Sequence, residues 1–232
     1  MPCCRRNLQI MSLRLSLSTS EEVLLRRFQL AELGRPYRQR YNISPGQKVL
    51  VLAEREGINR ITELVWGLIP ADAHHQAVGA GLFQVRQESL LELEAMQERL
   101  EKRRCAVLVD GFFLWQKSNE GVQPWYIYLR NSVPFALAAL WEVWDPRGEE
   151  PIYSCAIVTT TPNELVAPIH HRMPVILSQA GLAKWLNREI TAAEEVLPLC
   201  KPCPGSEMEA HKVSSLVDNE KHDSIEVTDP IL

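Results

Sequence analysis

The sequence predicts an α+β domain with a mostly antiparallel, barrel-like β-sheet core and helices at its periphery. Many short segments alternate or are continuously apolar, most of them follow one another through short turns, and the helical patterns lie outside this run. Strands joined by hairpins pair antiparallel, whereas a doubly wound parallel sheet needs a helix between successive strands. The 232 residues, 46% of them hydrophobic, suffice to bury one full core.

The first half of the chain predicts two helices with strands between them. Ser18-Thr19-Ser20-Glu21 has the form of a capping box, and the helix that it begins should end at Gly34-Arg35-Pro36. Strands are expected over residues 48–53 and 61–69. The second helix is expected over residues 88–100, with an apolar face made of Leu90, Leu93, Met96 and Leu100.

The second half predicts strands in quick succession and then helices. The expected strands cover residues 105–109, 125–129, 135–143 and 153–160, and the turns between them include 117–121 and 145–148. Helices are expected over 178–186 and 191–197, and a last strand near 212–217. Most connections are too short for crossover helices, which favours the antiparallel arrangement.

Composition excludes several classes of protein. No apolar run of 18 residues exists, and the residues after Arg5 and Arg6 lack the apolar core of a signal peptide, so we expect a cytoplasmic protein, nucleoid-associated if bacterial. The six cysteines should then be thiols. Cys200-Lys201-Pro202-Cys203 has zinc-type spacing, but no second pair accompanies it, so we expect neither metal nor cofactor.

Two stretches point to anionic ligands in spite of a net charge of −4. The run Ile169–Leu177 combines His170, Arg172 and a proline directly after a buried strand, so these side chains should lie on a loop held by a sheet. The stretch 35–41 mixes arginines with tyrosines, which suits a single-stranded nucleic acid backbone as well as an ordinary solvated loop.

Five segments in register resemble the SRAP family, the SOS-response-associated peptidases or abasic-site-processing proteins. The segments are Tyr41–Gln47, Trp66–Pro70, Asp110–Trp115, Ile169–Pro174 and Val213–Val217. The resemblance runs from Met11 to about the C-terminus. It implies a protein that recognises abasic sites in single-stranded DNA in the DNA damage response, with crosslinking, lyase and self-processing peptidase activities. In this family an N-terminal Cys, exposed by removal of Met, closes a thiazolidine on the ring-opened sugar.

The resemblance marks four reactive positions, and three of them are substituted in this chain. Ser12 stands at the position of the nucleophilic Cys, Gln84 at that of an Asn and Leu114 at that of a Glu, whereas His170 is retained. A serine hydroxyl is a far weaker nucleophile than a thiolate at neutral pH. A leucine cannot transfer protons, and loss of a general acid or base typically costs about 10²–10⁴-fold in rate.

The resemblance also implies which residues contact DNA. Arg14, Arg86, Arg172, Trp66 and Pro45 occupy the corresponding positions. Structural roles remain open alternatives: His170 as a hydrogen-bonded structural residue, Arg86 as a partner of Glu88 or a cap on a carbonyl, and Trp66 as core. The aromatic residue expected after Pro70 is replaced by Ala71-Asp72-Ala73, whose negative charge would repel phosphate.

The N-terminus carries a further alternative. Residues 1–10 are predicted to be a disordered extension and residues 11–232 the SRAP-like domain, and we expect a monomer that binds single-stranded DNA and no membrane. Ser12 has a free α-amine only if translation starts at Met11. One hypothesis is therefore a pseudoenzyme that keeps the fold but has impaired or lost crosslinking. The other is an active enzyme that uses Cys3, Cys4 or Ser12 as its nucleophile.

Overall fold

Two packed β-sheets carry most of the regular structure in this computed structural model, which describes residues 13–55, 57–119, 121–146 and 150–231. The strands are β1 (Arg14–Leu17), β2 (Arg40–Ile43), β3 (Lys48–Arg55), β4 (Ile58–Trp66), β5 (Gln84–Arg86), β6 (Arg104–Val109), β7 (Gly111–Ser118), β8 (Gly121–Leu129), β9 (Phe135–Trp144), β10 (Ile152–Thr160), β11 (Met173–Pro174), β12 (Ile176–Leu177) and β13 (Met208–Lys212). The α-helices are α1 (Glu21–Phe28), α2 (Ser89–Glu92), α3 (Glu94–Lys102), α4 (Gln179–Leu186) and α5 (Ala193–Val196). The α+β prediction is thereby confirmed.

The larger sheet closes on itself. Strands β4, β3, β6, β9 and β10 pair antiparallel in that order, and β10 returns to β4 through a parallel pair in which Ser154 opposes Val65 and Cys155 opposes Trp66. The result is a five-stranded barrel filled by apolar side chains such as Val107, Cys155 and Ile157. Closure removes the free edges that an open sheet would expose.

The second sheet packs beside the barrel and is antiparallel throughout, in the order β13, β8, β7, β1, β2. Alternation along β7 sends Phe112 and Leu114 into the main core, and Phe113 and Trp115 into a smaller core with Val217 and its neighbours from the C-terminal segment. Both faces of β7 are therefore buried. Within the described residues, no helix is long and apolar enough to span a membrane.

The Asp110 carboxylate joins the two sheets at the point where β6 passes into β7. It accepts hydrogen bonds from the hydroxyls of Ser16 (2.6 Å), Ser18 (2.9 Å) and Thr19 (3.1 Å). The backbone N–H groups of Ser18 and Thr19 also donate to it. Asp110 is 9% exposed, so these bonds replace most of its water. One side chain thus fixes the end of β1 and the approach to α1.

This use of the hydroxyls corrects the prediction for the first helix. Ser20 occupies the N-cap position but makes no capping bond through its side chain, and the helix ends at Phe28 rather than near Gly34. Gln29 then adopts a left-handed conformation with φ 55°. The capping-box pattern marked the start of the helix correctly, but the bonds serve Asp110 instead of the helix.

The expected helix over residues 88–100 is two short helices, and that prediction was wrong in its continuity. Leu93 is extended, with φ −112° and ψ 117°, and its side chain is 53% exposed instead of lying on the apolar face. Leu90 and Leu100 are buried as predicted. The break lets each of the two helices place one of these leucines in the core.

Arg104 secures the helices to the barrel. Its guanidinium, 7% exposed, donates to the carbonyl oxygens of Leu100, Glu101, Trp185, Asn187 and Ile190. These carbonyls belong to the ends of α3 and α4 and to the loop after α4, where unpaired acceptors collect. Arginine, with five donors in a fixed plane, suits this role.

Strand β4 ends at Trp66, three residues before the predicted end, because the backbone at Gly67 is closely approached. A Cβ atom on Gly67 would lie 2.6 Å from the carbonyl oxygen of Gly79, and Gly67 has φ +145°. Only glycine fits at this contact.

The last predicted strand was misplaced. The strand lies earlier, at β13, and residues 215–218 form a 3₁₀ turn instead. The hydroxyl of Ser214 accepts a hydrogen bond from the N–H of Leu216 and begins that turn. A local cap of this kind competes successfully with strand pairing.

We expect Asp110→Asn to destabilise the protein by about 2–4 kcal/mol, because the amide loses the charge and turns two donors toward groups that are themselves donors. Urea denaturation measures the change. Asp145→Asn, at an exposed position, is the matched control and should shift stability by no more than about 0.5 kcal/mol. Equal effects of the two variants would contradict the role assigned to Asp110.

Candidate functional site

The sequence-predicted residues Gln84, Arg86, His170 and Arg172 collect at one end of the barrel, where β10 runs out into the loop 161–172. Strand β5 lies parallel to β10, with Gln84 opposite Ile157 and Arg86 opposite Thr159. Strand β11, directly after the loop, pairs with the last residues of β10. The sheet edge and the loop therefore form one surface, as the sequence indicated.

His170 presents one free nitrogen. Its Nδ1 lies 2.8 Å from the carbonyl oxygen of Arg172 and 3.1 Å from the N–H of the same residue. Within the described chain Nε2 has no hydrogen-bond partner, so it is available to a ligand. Partial burial lowers the pKa of His170, and the charges of His171 and Lys117 lower it further, although the bond to Arg172 opposes this. The ring is therefore neutral at neutral pH and can accept a proton.

Arg172 is already occupied. Its guanidinium binds both carboxylate oxygens of Glu88, each at 2.9 Å, and donates to the carbonyl oxygen of Thr159 at 2.6 Å. The hydrogen bond from Arg172, opposed by partial desolvation, holds the pKa of Glu88 below its usual value. Arg172 ties the loop to the start of α2, and a phosphate would have to displace Glu88 to reach its fork.

Arg86 and Gln84 are open to ligands to different degrees. Arg86 is exposed, and its guanidinium makes no ion pair with any described residue. The alternative of an Arg86–Glu88 pair was wrong, because Glu88 binds Arg172. Gln84 is half-buried. Arg86 is thus the predicted DNA contact that is free to bind phosphate.

Leu114 lies in β7 with its side chain 2% exposed, on the same face as Phe112 in the main apolar core. Two residues further along this face, the Gln116 amide donates to the carbonyl oxygen of Pro168 at 2.8 Å, which fixes β7 against the 161–172 loop. Position 114 therefore approaches the loop that carries His170, but it brings no group that can take up or release a proton.

Two other predicted DNA contacts are structural in their placement. Trp66 is completely buried, its indole N–H donates to the carbonyl oxygen of Phe83 at 2.8 Å, and its ring meets that of Phe83 edge-on. Pro45 is half-buried in the turn between β2 and β3, in which the N–H of Gln47 donates to the carbonyl oxygen of Ser44. Proline before a glycine with φ +90° suits this turn.

Arg14 is also enclosed. It lies on β1, 8% exposed, and donates to the side-chain oxygen of Asn42 at 3.1 Å and to the carbonyl oxygen of Asp218 at 2.9 Å. Burial lowers the pKa of Arg14, while the charges of Glu220 and Asp218 act in the opposite direction. Along β1 it points to the opposite face from Leu15, which lies in the main core.

Several predicted features fall outside the site or outside the described residues. Ser12, Cys3 and Cys4 lie outside the described residues. In the 35–41 stretch, Arg35 pairs with Glu63 and Arg40 with Asp223, which leaves Arg38 exposed. Within the described ranges, no group of three or more His, Cys, Asp or Glu could hold a metal ion.

An open cavity of about 630 Å³ lies elsewhere, at the opposite end of the barrel from His170. It is bordered by Arg60, Trp141, Tyr153 and Arg188 among others. Tyr153 is at the start of β10, whereas the candidate site begins at the end of that strand. The cavity and the candidate site therefore lie at opposite ends of β10.

Sequence reasoning missed Glu88 and Gln116 as parts of the site surface. Glu88 was considered only as a partner of Arg86. The strand β7 was not predicted as such, although the alternation from Phe112 to Gln116 is the signal that could have placed Gln116 on the inner face.

A match to the family described as SOS response associated peptidase (SRAP) covers residues 11–220. The chain belongs to the SRAP family. It is 37% identical to the abasic site processing protein YoaM of Bacillus subtilis, over 83% of this chain and 86% of that one. It is 29% identical to the abasic site processing protein YedK of Escherichia coli, over 83% and 85%.

A solved structure of a Bacteroides thetaiotaomicron protein shares the fold of this SRAP chain. The TM-score is 0.79 at 23% identity, and the match covers 94% of this chain and 99% of that one. At this identity the likeness supports the architecture of two sheets and a closed barrel.

We expect His170 to titrate below 6.5 in the folded protein, because burial disfavours the imidazolium and Lys117 repels it. Lys117→Gln should raise that pKa, and Lys102→Gln, on the distant helix α3, should leave it unchanged; NMR titration of the imidazole resonances measures both. The unfolded chain binds this proton more readily than the folded one. The contribution of His170 to stability is therefore full above about pH 6.5 and is lost as the pH falls from there toward the folded-state pKa.

Proposed function

We propose that this chain binds single-stranded DNA at abasic sites in the DNA damage response, and that its ability to form a lasting DNA–protein crosslink is impaired or lost. The first half is supported by the SRAP match over residues 11–220 and by relatives that are named abasic site processing proteins. The domain is proposed to be residues 11–232, with residues 1–10 as an extension.

The observation that carries the second half is the environment of position 114. The family resemblance places a carboxylate there, and in this chain the position holds a buried leucine packed with Phe112 in the apolar core. No acid or base stands at that point of the site. Loss of general acid–base catalysis removes about 10²–10⁴-fold of rate, so the remaining His170 would act without its partner.

The groups that this chain retains support DNA binding without a lasting covalent crosslink. Arg86 is free, His170 offers Nε2, and both lie at one sheet edge. Arg172 is neutralised by Glu88, and Asp72 is exposed and negatively charged. The surface therefore offers few phosphate contacts, and we expect its binding to DNA to be weak and salt-sensitive.

The alternative is an active SRAP enzyme that crosslinks, cleaves abasic sites or processes itself, with Cys3, Cys4 or Ser12 as the nucleophile. The decisive property is whether the adduct survives heat without a reductant, since only a ring closed by a thiol would persist. A hydroxyl at Ser12 would leave an imine that hydrolyses.

We expect the wild-type chain to bind abasic single-stranded DNA weakly, with a shallow dependence of log affinity on log salt, and to form no heat-stable adduct. Fluorescence anisotropy at several salt concentrations measures binding, and a denaturing gel after heating detects the adduct. Intact mass of the purified protein fixes the N-terminus in the same preparation.

Two results would contradict this proposal. A heat-stable adduct that Cys3→Ala or Cys4→Ala abolishes would place an active nucleophile in the N-terminal extension. Binding that is independent of salt, or tighter to intact duplex than to abasic single strands, would remove the proposed target.

Restoring the family's groups should restore the crosslink. In a chain that lacks residues 1–10 and carries Ser12→Cys, Gln84→Asn and Leu114→Glu, we expect a heat-stable adduct with abasic single-stranded DNA. The control is the same chain with Leu114→Gln, which has a similar volume but no acid, and which should react about 10²-fold or more slowly. If the reverted protein is folded and binds DNA yet forms no adduct, the defect lies elsewhere. The next positions to change are Leu13, where the family resemblance places a Gly, and Asp72.

A further inference from the structure

The open cavity at the far end of β10 has no part in the function proposed above. Residues 60–64 of β4 line one side of it, and Trp141 of β9 and Tyr153 of β10 line the other. Strand β4 pairs with β10 beyond this point, from Val65 onwards. The cavity is therefore a cleft in the barrel wall, and its volume of about 630 Å³ is within the range of about 300–1,000 Å³ that is typical of small-molecule sites.

Trp141 differs from the other tryptophans in its hydrogen bonding. The chain has six tryptophans, and all six are among the residues that the structure describes. Five of them donate their indole N–H groups to protein acceptors: Trp66 to Phe83, Trp115 to Asp218, Trp125 to Gln116, Trp144 to Ala73 and Trp185 to Cys105. The half-buried Trp141 has no such acceptor in the described part of the chain. Because a buried indole usually finds a partner, this N–H is a donor left for a ligand of the cavity.

Tyr153 supplies an exposed aromatic surface beside Trp141. The two rings lie 6.3 Å apart and are inclined by 35°. The guanidinium of Arg103 lies 5.5 Å from the centre of the Trp141 ring and covers one of its faces. Tyr153 is 51% exposed, so its ring is accessible. Bases of single-stranded nucleic acids stack on exposed aromatic rings of this kind, and Tyr153 is therefore the side chain on which a planar ligand of the cavity would stack.

The cavity also carries an excess of positive charge. The guanidiniums of Arg60 and Arg188 are exposed and form no ion pair with any described residue. Arg104 lines the same cavity, and because its donors bind carbonyl oxygens, no carboxylate among the described residues neutralises it. Burial lowers the pKa of Arg104, and the charge of Arg188 lowers it further, as expected for two cations that line one cavity.

The acidic side chains at the cavity already have partners. Glu54 accepts hydrogen bonds from the backbone N–H groups of Gly57 at 3.0 Å and Arg188 at 3.1 Å. Glu63 pairs with Arg35 at 2.8 Å. With Glu63 neutralised in this way, the charges of the cavity favour an anionic ligand. The planar fork of an arginine matches a phosphate group in particular.

We propose that this cavity binds a nucleotide, with the planar base stacked on Tyr153 and the phosphate held by Arg60 and Arg188. The indole N–H of Trp141 then donates to an acceptor on the base or the sugar. A free mononucleotide and a nucleotide within a single strand offer the same chemistry, so both are tested below. The proposal goes beyond the proposed function, because it needs neither an abasic site nor the His170 surface.

The indole N–H signals of the full-length protein test this site. Deoxyadenosine monophosphate is titrated into ¹⁵N-labelled protein, and the six indole signals are followed by NMR; Trp141→Phe identifies the signal of Trp141 by its loss. We expect this signal to shift more than the other five, whose N–H groups are bonded inside the protein. Deoxyadenosine, which lacks the phosphate, and inorganic phosphate, which lacks the base, should each bind about tenfold more weakly or worse.

Variants separate the phosphate contacts from the stacking contact. Arg60→Gln and Arg188→Gln should each weaken mononucleotide binding about fivefold or more, because each removes a charge at the phosphate. Tyr153→Leu should weaken the binding of the mononucleotide and of deoxyadenosine but leave that of inorganic phosphate unchanged. Arg26→Gln, which removes an exposed arginine of α1, is the matched control and should bind as wild type does.

A short single strand of intact deoxynucleotides distinguishes the two sources of the ligand. A shift at Trp141 with both ligands supports a site for free nucleotides, whereas a shift with the strand alone supports a site for a nucleotide within a strand. A Trp141 signal that none of these ligands moves overturns the proposal. It is also overturned if inorganic phosphate moves the signal as strongly as the mononucleotide, or if the double variant Arg60→Gln, Arg188→Gln retains full affinity.

Discussion

The carboxylate of Asp110 is the contact on which the arrangement of the two sheets depends. It stands between the last residue of a barrel strand and the first residue of a strand in the second sheet, and it binds the segment from Ser16 to Thr19 through hydroxyl and backbone donors. Tyr126 adds a hydroxyl 2.9 Å from that of Ser16. A charge at this depth is stable only when its acceptor positions are filled. Because the donors come from one short segment, the start of the domain is positioned relative to β7.

The strands of the barrel could be predicted from the sequence because they are long and their residues are either continuously apolar or alternate between apolar and polar. Strands β3, β6, β9 and β10 were predicted to within two residues of their observed ends. Helix ends and the last strand were predicted less well. Those limits are set by contacts far apart in sequence, such as Ser18 with Asp110 or Gly67 with Gly79. No local pattern encodes a partner that lies a dozen or more residues away.

The location of the site could be predicted from the sequence, but the hydrogen bonds and ion pairs within it could not. Placement of His170 on a loop beside a sheet follows from a buried strand and the polar turn after it, and the resemblance supplied the other positions. The two bonds between Arg172 and Glu88 join residues 84 positions apart in the sequence. They occupy the guanidinium that the sequence predicted to bind phosphate. Trp66 shows the same limit, since an indole can form either a core or a stacking platform and only its complete burial decides.

The contact between Gly67 and Gly79 divides the segment between β4 and β5 into parts with different freedom to evolve. At the two anchors the backbones touch, and any side chain on Gly67 would collide with the carbonyl oxygen of Gly79. Between them, Leu68 and Ile69 are buried in the core, whereas side chains such as those of Asp72 and His74 are exposed and carry little of the fold. These exposed positions are therefore exchangeable, while the anchors and the buried residues beside Gly67 are fixed. An aromatic residue can be replaced there by an acid without a penalty in folding, so binding preference can drift while the architecture stays the same.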